Sequence, residues 1–254
     1  TELTLHTLSA GSQARGELRA LDETTYYVIR FALADQQASS VTINLTPLKG
    51  SFTMFASRSG KMPTLESHEL ISDSHHLDLA YKSYDAAKDE YIIGVRLNSK
   101  EVHEDERYQF LISFTYASKP LMINPGIIST HTIKESNYFL VEATREMSDL
   151  LVLKSIVDGY NINVCGKFAS SERIEHPDEC DYAARERAVS FYVTEGELKQ
   201  HCEQRWASGK CFLQLSVRGN VNQKFSIGYT YNEHPFQLVK DQVVNGPTIT
   251  QGNY

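Results

Sequence analysis

Four cysteines are the residues in this sequence that are most able to do chemistry. They are Cys165, Cys180, Cys202 and Cys211, and no cysteine precedes them. An even, clustered set without a C-x-x-C pair is typical of disulfides in a secreted protein rather than of zinc ligands. We therefore predict two disulfides and an extracellular or cell-surface location. Of the three possible pairings we prefer Cys165–Cys180 with Cys202–Cys211, and then Cys180–Cys202 with Cys165–Cys211.

A stretch rich in histidine and aspartate is the second candidate for chemistry. It contains His68, Asp73, His75, His76 and Asp78. Neighbouring residues of a strand face opposite sides, so His75 and His76 could not easily bind one metal ion. We interpret the stretch as a polar loop before a strand at 77–79, and we predict no metal site and no cofactor. The sequence contains no G-x-S-x-G, H-E-x-x-H or catalytic Cys/His motif, so we expect that the chain is not an enzyme.

The sequon Asn44-Leu45-Thr46 is the one modification signal. Val41, Ile43 and Leu45 alternate in a pattern that predicts an inward-facing set of side chains. Asn44 would then face outward, where a covalent N-linked glycan could be attached. We therefore predict Asn44 as a glycosylation site.

Composition and charge describe a globular chain of 254 residues with a formal net charge of -7. Without an excess of basic charge, few counterions could be released from nucleic acid, so we expect no nucleic-acid partner. The sequence has no apolar run of about 18 residues, which predicts no membrane span in this segment. Because it begins at Thr1 without a methionine, we expect it to be part of a longer chain.

Two sequence patterns recur along the chain at nearly the same interval. T-Y-x-x-x-P followed by an apolar residue occurs at 115–121 and at 230–236, an offset of 115. Behind each copy, I-x-x-x-N-Y occurs at 133–138 and at 249–254, an offset of 116. A related segment at 22–29 precedes the first copy. We infer an internal duplication, and such a period has to be found before a fold is predicted.

The duplication predicts three segments: 1–125 as a first β-sandwich repeat, 126–246 as a second, disulfide-stapled repeat, and 247–254 as the start of a further repeat. Short runs rich in β-branched and aromatic residues, separated by turn residues, indicate strands. We predict them at 26–31, 41–45, 51–55, 77–79, 91–97 and 108–116, and at 138–142, 150–154, 161–165, 188–193, 211–217 and 224–231. The predicted fold class is all-β, with two tandem jelly-roll-like sandwiches and one short helix in the second.

The helix is predicted by Thr194-Glu195-Gly196-Glu197, which fits a capping box. Leu198, Cys202 and Trp206 follow at i, i+4 and i+8, so Cys202 should face the sandwich. Gly209 can end the helix.

Either cysteine pairing closes two loops, at 166–187 and 194–210, which we expect to be longer than their counterparts in the first repeat. Each closure should stabilise the fold by about 2–4 kcal/mol, mainly by restricting the unfolded chain.

The first repeat resembles a bacterial pre-peptidase C-terminal (PPC-like) domain. The resemblance consists of a Gly-rich lead-in, a Tyr-Tyr strand, a Pro-Thr loop and a Y-I-I-G-V strand, within the segments 8–11, 16–18, 26–29, 41–45, 52–55, 62–64 and 91–95. The second repeat departs from the pattern. There C-F-L-Q-L-S-V at 211–217 replaces Y-I-I-G-V, and the Pro-Thr loop is missing unless His176-Pro177-Asp178 stands in for it.

That family is a jelly-roll-like sandwich attached in tandem to secreted proteins, so the resemblance implies an extracellular accessory or structural module without an active site. We expect a structural or adhesive repeat protein, part of a longer surface stalk, coat or filament, with neighbouring repeats or identical subunits as head-to-tail partners. The apolar junction 122–128 favours packed neighbours. The alternative is a carbohydrate- or ligand-binding accessory module of a secreted enzyme, with contacts from Tyr81, Tyr84 and Trp206.

Overall fold

A computed structural model of the chain describes residues 4–30, 40–58, 61–73, 76–80, 90–98, 106–116, 119–133, 137–156, 162–174, 179–185, 190–232 and 234–237. Among these residues the regular elements are eighteen strands and one helix, and the predicted all-β sandwich fold is confirmed. The chain divides into two compact units, Thr1–Met122 and Ile123–Tyr254. The sequence placed this boundary after residue 125. The predicted start of a further repeat at 247–254 lies outside the described residues.

Unit 1 is a sandwich of two sheets. Its strands are β1 Leu5–Leu8, β2 Gln13–Leu18, β3 Thr24–Arg30, β4 Ser40–Lys49, β5 Phe52–Arg58, β6 Leu70–Ser72, β7 His76–Ala80, β8 Glu90–Leu97, β9 Tyr108–Tyr116 and, at its end, β10 Leu121–Met122. One sheet has the order β1-β3-β8-β5-β6, and the other has the order β2-β9-β4-β7. Neighbouring strands are antiparallel except for β1 and β3, which run in parallel.

Unit 2 is also a sandwich of two sheets. Its elements are β11 Ser129–Thr132, β12 Asn137–Ala143, β13 Leu150–Ile156, β14 Asn163–Ala169, β15 Tyr182–Ala184, β16 Ser190–Val193, α1 Glu195–Ser208, β17 Cys211–Arg218 and β18 Lys224–Thr230. One sheet contains the order β12-β17-β14-β15, and the other has the order β11-β18-β13-β16. All of these neighbouring strands are antiparallel.

The two units have the same strand order. Strands β3-β8-β5-β6 of unit 1 correspond to β12-β17-β14-β15 of unit 2, and β2-β9-β4-β7 correspond to β11-β18-β13-β16. Thr115 and Thr230, which begin the two copies of the T-Y-x-x-x-P motif, lie at or next to the ends of the corresponding strands β9 and β18. The order of the strands is therefore repeated between the two units.

The cores of the two units match at the level of single ring pairs. In unit 1, Tyr27 meets Phe110 edge-on with their ring centroids 6.2 Å apart. In unit 2, Phe139 meets Phe225 edge-on at 6.0 Å. Both phenylalanines of the second sheet are fully buried. Edge-to-face pairs of this kind add about 0.5–1.5 kcal/mol beyond the area that they bury.

The predicted helix is confirmed as α1, and Thr194 is its N-cap with both halves of the capping box present. Gly209 is the C-cap. Leu198 and Cys202 are fully buried, as the i, i+4 spacing predicted, while Trp206 is half-buried.

The expected difference in loop length holds for only one of the two loops. The connection between β14 and β15 covers residues 170–181, nearly the same length as residues 59–69 between β5 and β6. The expectation was wrong there because part of the predicted long loop, at 166–187, belongs to strands β14 and β15. The connection from β16 to β17, residues 194–210, contains α1 and is longer than residues 81–89 of unit 1.

Candidate functional site

Two disulfides are present in unit 2, and they form the first of the two pairings proposed from the sequence. Cys165 bonds to Cys180 with their Cα atoms 5.3 Å apart, and Cys202 bonds to Cys211 with their Cα atoms 5.5 Å apart. The second bond is fully buried and ties α1 to the first residue of β17. The first bond is more accessible, since Cys180 is exposed.

The Cys165–Cys180 bond takes the place of an aromatic contact found in unit 1. Phe55 lies opposite Gly94 in β5–β8, and a Cβ on Gly94 would meet Cε2 of Phe55 at 2.2 Å. At the corresponding position of β14–β17, Cys165 lies opposite Ser216. The disulfide therefore replaces a large buried side chain that covers a glycine, a substitution that fits a structural role.

A polar cleft of about 290 Å³ lies beside α1 and is the candidate functional site of unit 2. Its lining side chains are all polar: Ser170, Gln200, His201, Gln204, Arg205 and Ser208. Five of the six lie on α1 at spacings of one, three or four residues, which places them on one side of a helix. Ser170 comes from the connection that follows β14.

His201 and Arg205 form the partly buried wall of this cleft. The His201 ring stacks on Phe168 with centroids 4.7 Å apart and an angle of 14° between the planes. The Arg205 guanidinium donates hydrogen bonds to the carbonyl oxygens of His201 and Phe168. Both side chains are therefore held in place before any ligand arrives.

The first turn of α1 is held by a small hydrogen-bond network. The Glu197 carboxylate accepts from the Thr194 backbone N–H at 2.8 Å and from its hydroxyl at 2.7 Å. These bonds, the backbone one first, lower the pKa of Glu197. Burial, followed by the nearby Glu197 charge, raises the pKa of Tyr182 to about 12. Tyr182 is therefore a neutral phenol at physiological pH.

A second cleft, of about 500 Å³, lies in unit 1 beside the edge strands β1 and β2. Its lining residues combine an aromatic ring with charged, polar and apolar side chains: Leu5, His6, Thr7, Ala14, Arg15, Gly16, Glu17, Thr25 and Tyr27. Burial raises the pKa of Tyr27 to about 12. Arg15 donates to Gln109, and Gln109 in turn donates to Glu17, so polar groups at the rim already bind one another.

The prediction that Asn44 faces solvent is wrong. Asn44 is 5% exposed, and its neighbours Thr42 and Thr46 on the same strand are also buried. Its Oδ1 has no hydrogen-bond partner among the described residues. The alternation of β4 was interpreted correctly, because Val41, Ile43 and Leu45 are buried, but the opposite side of the strand is buried as well at Asn44.

The histidine- and aspartate-rich stretch falls on β6, β7 and the segments before them. Asp73 accepts a hydrogen bond from the Thr53 hydroxyl, and Asp78 accepts from Thr42 at 3.0 Å. His68 Nδ1 lies 3.1 Å from the Thr64 carbonyl oxygen, while His76 begins β7. His75 lies outside the described residues. In the part of the chain that the structure describes, no three His, Cys, Asp or Glu residues are grouped to hold a metal ion.

The aromatic residues proposed as carbohydrate contacts have different outcomes. Tyr81 and Tyr84 lie outside the described residues. Trp206 is half-buried, and its indole N–H donates to the Ala143 carbonyl oxygen at 2.7 Å. Trp206 therefore helps to fasten α1 to β12 and does not line the cleft.

Two buried polar residues were missed by the sequence reasoning. Lys154 is 2% exposed, and its ammonium group donates to the carbonyl oxygens of Ile162 and Ala184. Burial lowers its pKa to about 8. The other residue, His131, lies 2.7 Å from the Ser129 hydroxyl through its Nε2, and burial lowers its pKa to about 3. The strand alternation could have placed both on the core face.

The cleft residues on α1 were also missed, although the sequence contains their signal. Gln200, Gln204 and Ser208 repeat every four residues on the side of the helix away from Leu198 and Cys202. Such a polar stripe on an exposed helix face is common, so the spacing alone does not indicate a ligand site. No helix among the described residues is long and apolar enough to cross a membrane.

Solved structures that are similar to this chain include two with low sequence identity. One is the pre-peptidase C-terminal domain of collagenase from Bacillus anthracis, with 12% identity and a TM-score of 0.31 over 45% of this chain and 97% of that chain. The other is a chain of Broad Bean Stain Virus, with 10% identity and a TM-score of 0.28 over 77% of this chain and 76% of that chain. No protein-family model matches the chain, and no curated protein matches it significantly.

The strand order and the disulfides therefore define the class of protein. The chain is a two-unit β-sandwich module whose second unit contains two disulfides and a helix. A pre-peptidase C-terminal domain is among its structural neighbours, at low identity and over part of the chain.

Proposed function

We propose that this chain is a non-catalytic structural or adhesive segment of an extracellular protein, built to supply length and surface. The observation that carries the proposal is the duplication: one strand order is repeated in two units. Repeat proteins of this kind gain stability from the units and from their neighbours in the chain. Units that join head to tail can form an open assembly. We therefore place the chain in a surface stalk, coat or filament with neighbouring repeats or identical subunits as partners.

The extracellular location is supported by the two disulfides, because such bonds persist in oxidising compartments and are rare in the cytosol. The exposed position of Cys180 strengthens the argument for an extracellular location. A disulfide with one exposed cysteine is open to attack by cellular thiols, so it lasts only where such thiols are scarce.

The experiment is secretion of the full chain into the bacterial periplasm, with a cytosolic preparation for comparison. Intact mass before and after reduction counts the disulfides, and size-exclusion chromatography with light scattering follows self-association as concentration rises. The proposal predicts two disulfides in the periplasmic protein and growth into open, head-to-tail assemblies. A chain that folds equally well with four free thiols and stays monomeric would contradict it, as would turnover of any substrate.

A ligand-binding accessory module of a secreted enzyme is the second candidate function. The polar cleft beside α1 favours it, since small-ligand sites are concave and have a few polar groups placed by rigid elements. The two functions are compatible, because a repeat protein can bind a ligand on one of its units.

A further inference from the structure

The helix α1 is an addition to the sandwich that the two units share. Between β16 and β17 the chain has residues 194–210, while the corresponding connection between β7 and β8 has residues 81–89. A helix of 14 residues fits the first connection and cannot fit the second. In repeat proteins, insertions confined to one repeat map to one face, which is often the binding face.

The inserted helix is capped at its N-terminus and is fastened to the sandwich at two further points. Thr194 and Glu197 cap its first turn, and Cys202 is bonded to Cys211 of β17. Near the other end, the Trp206 indole donates to the carbonyl oxygen of Ala143 in β12. A recognition surface on a helix held in this way loses little conformational entropy when a ligand binds.

The cleft on this helix contains both donors and acceptors of hydrogen bonds. Gln200 and Gln204 each offer one carbonyl oxygen and one NH₂ group, and the Ser170 hydroxyl can donate or accept. The Ser208 hydroxyl donates to backbone carbonyl oxygens of α1, so it offers acceptor capacity to a ligand. His201 adds a ring nitrogen. A ligand rich in hydroxyl groups, each of which donates and accepts, is the chemical complement of such a set.

The charge of the cleft favours a neutral ligand over an anion. No Asp, Glu or Lys side chain is among the six residues that line it. Arg205 is the one guanidinium, and it already donates to the backbone carbonyl oxygens of His201 and Phe168. The cleft extends along the C-terminal half of α1, where the helix dipole places partial negative charge and disfavours an anion.

We propose that the cleft formed by Ser170, Gln200, His201, Gln204, Arg205 and Ser208 binds a neutral carbohydrate. Its volume of about 290 Å³ is near the lower end of the range for small-ligand sites, which suits one or two sugar rings. The proposal rests on the ligand-binding role given above as the second function and names its ligand class. It is independent of the structural role, which concerns self-association and disulfides.

The test uses the full chain with both disulfides intact. An array of neutral gluco-, galacto- and manno-oligosaccharides, printed together with sialylated and sulfated glycans, selects the best ligand, and calorimetry measures its Kd. We expect binding to neutral glycans. The double substitution Gln200→Ala and Gln204→Ala removes two exposed lining side chains, so it should leave the fold intact while raising Kd at least about tenfold.

Glu203→Ala is the matched control, because Glu203 is exposed on the same helix but does not line the cleft. It should leave Kd within about twofold of the unsubstituted chain, and circular dichroism should show the same melting temperature for all three proteins. Binding to acidic glycans alone, equal effects of Glu203→Ala and the double substitution, or no binding to any glycan would overturn the proposal. A failure of this kind, in protein that is secreted with both disulfides and self-associates, leaves the structural role in place.

Discussion

Gly16 and His131 hold the same position in the two units. Gly16 lies opposite Phe110 in the pair β2–β9, and His131 lies opposite Phe225 in the pair β11–β18. In unit 1 the space beside the glycine is filled by rings. A Cβ on Gly16 would lie 2.2 Å from Cζ of Phe110 and 2.5 Å from the Tyr27 hydroxyl oxygen.

Unit 2 accommodates an imidazole at this position because its neighbour is smaller. Phe139 takes the place of Tyr27 and has no hydroxyl group. The His131 ring packs 4.8 Å from the Phe139 ring and 5.8 Å from the Phe225 ring, measured between centroids. The glycine of unit 1 is thus matched with a tyrosine, and the histidine of unit 2 with the smaller phenylalanine. We expect these two core positions to be energetically coupled in each unit.

The coupling can be measured in unit 1 with Gly16→Ala. The added Cβ overpacks the core, so we expect the free energy of unfolding to fall by about 1–3 kcal/mol. In a Tyr27→Phe background one of the two clashes is gone, and the same substitution should cost about 0.5–1 kcal/mol less. Urea unfolding of the four proteins of this double-mutant cycle gives the coupling energy directly.

Gly196→Ala is the control for the glycine substitution itself. Gly196 lies in α1, and apart from its chain neighbours and the backbone of its own helix no atom lies within 4 Å of the position that its Cβ would take. Alanine is favoured over glycine in a helix by about 0.5–1 kcal/mol, so this variant should be as stable as the unsubstituted chain or more stable. Additive effects of Gly16→Ala and Tyr27→Phe would contradict the proposed coupling.

His131 should make unit 2 sensitive to acid. Its pKa is about 3 in the folded unit because of burial, against 6.5 for the ordinary side chain. Between these values the unfolded chain binds a proton that the folded chain does not, so stability falls as pH falls below 6.5. At pH 5 the loss amounts to about 2 kcal/mol.

The measurement is urea unfolding of the unsubstituted chain and of His131→Gln at pH 7.5 and at pH 5. The difference in stability between the two proteins should shrink by about 2 kcal/mol at the lower pH, because glutamine does not titrate. Carboxylate effects are common to both proteins and cancel. Parallel losses of stability in the two proteins would show that His131 is not the acid-sensitive group.

The sequence predicted the strands that alternate strongly and missed those that do not. Strand β2 contains Arg15, Gly16 and Glu17 in a row, so its period of two is obscured, and β6 and β15 have three residues each. The outward position of Asn44 in β4 was predicted correctly, but its burial was not. The pairing register shows that Asn44 corresponds to Leu153 of β13, and both are buried on the outward faces of their sheets.

Alternation shows which side of a strand a residue is on, but it does not show whether that side is covered. The candidate site was harder to predict for the same reason. The polar stripe of α1 is visible in the sequence, whereas the cleft also depends on Ser170, which lies 30 positions before Gln200.

Lys154 should give unit 2 a second pH dependence, of the same sign as that of His131 but in the alkaline range. It takes the core position that Leu45 holds in unit 1. Burial lowers its pKa from 10.5 to about 8. Between pH 8 and 10.5 the unfolded chain holds a proton that the folded chain has released, so this group adds stability as pH rises. The full effect is about 3 kcal/mol.

The comparison is between the unsubstituted chain and Lys154→Leu, unfolded in urea at pH 7.5, 8.5 and 9.5. Leucine restores the unit 1 residue and removes the titration, although the carbonyl oxygens of Ile162 and Ala184 lose a donor. That loss hardly depends on pH, so the readout is the slope. The stability of the unsubstituted chain relative to the variant should rise by about 2 kcal/mol over this range. Equal slopes would refute the assignment.

The two disulfides should differ in how easily thiols reduce them. Cys202 and Cys211 are fully buried, whereas Cys180 is exposed. Thiol–disulfide exchange requires direct access to a sulfur atom, so low concentrations of dithiothreitol should open Cys165–Cys180 first in the folded chain. Alkylation with iodoacetamide followed by peptide mass analysis identifies the released thiols. Since the Cys165–Cys180 bond spans 15 residues, its loss should lower the free energy of unfolding by about 3 kcal/mol. The control is the same reduction in strong denaturant, where both bonds should be reduced together. Early release of Cys202 and Cys211 from the folded chain would contradict the prediction that their burial protects them.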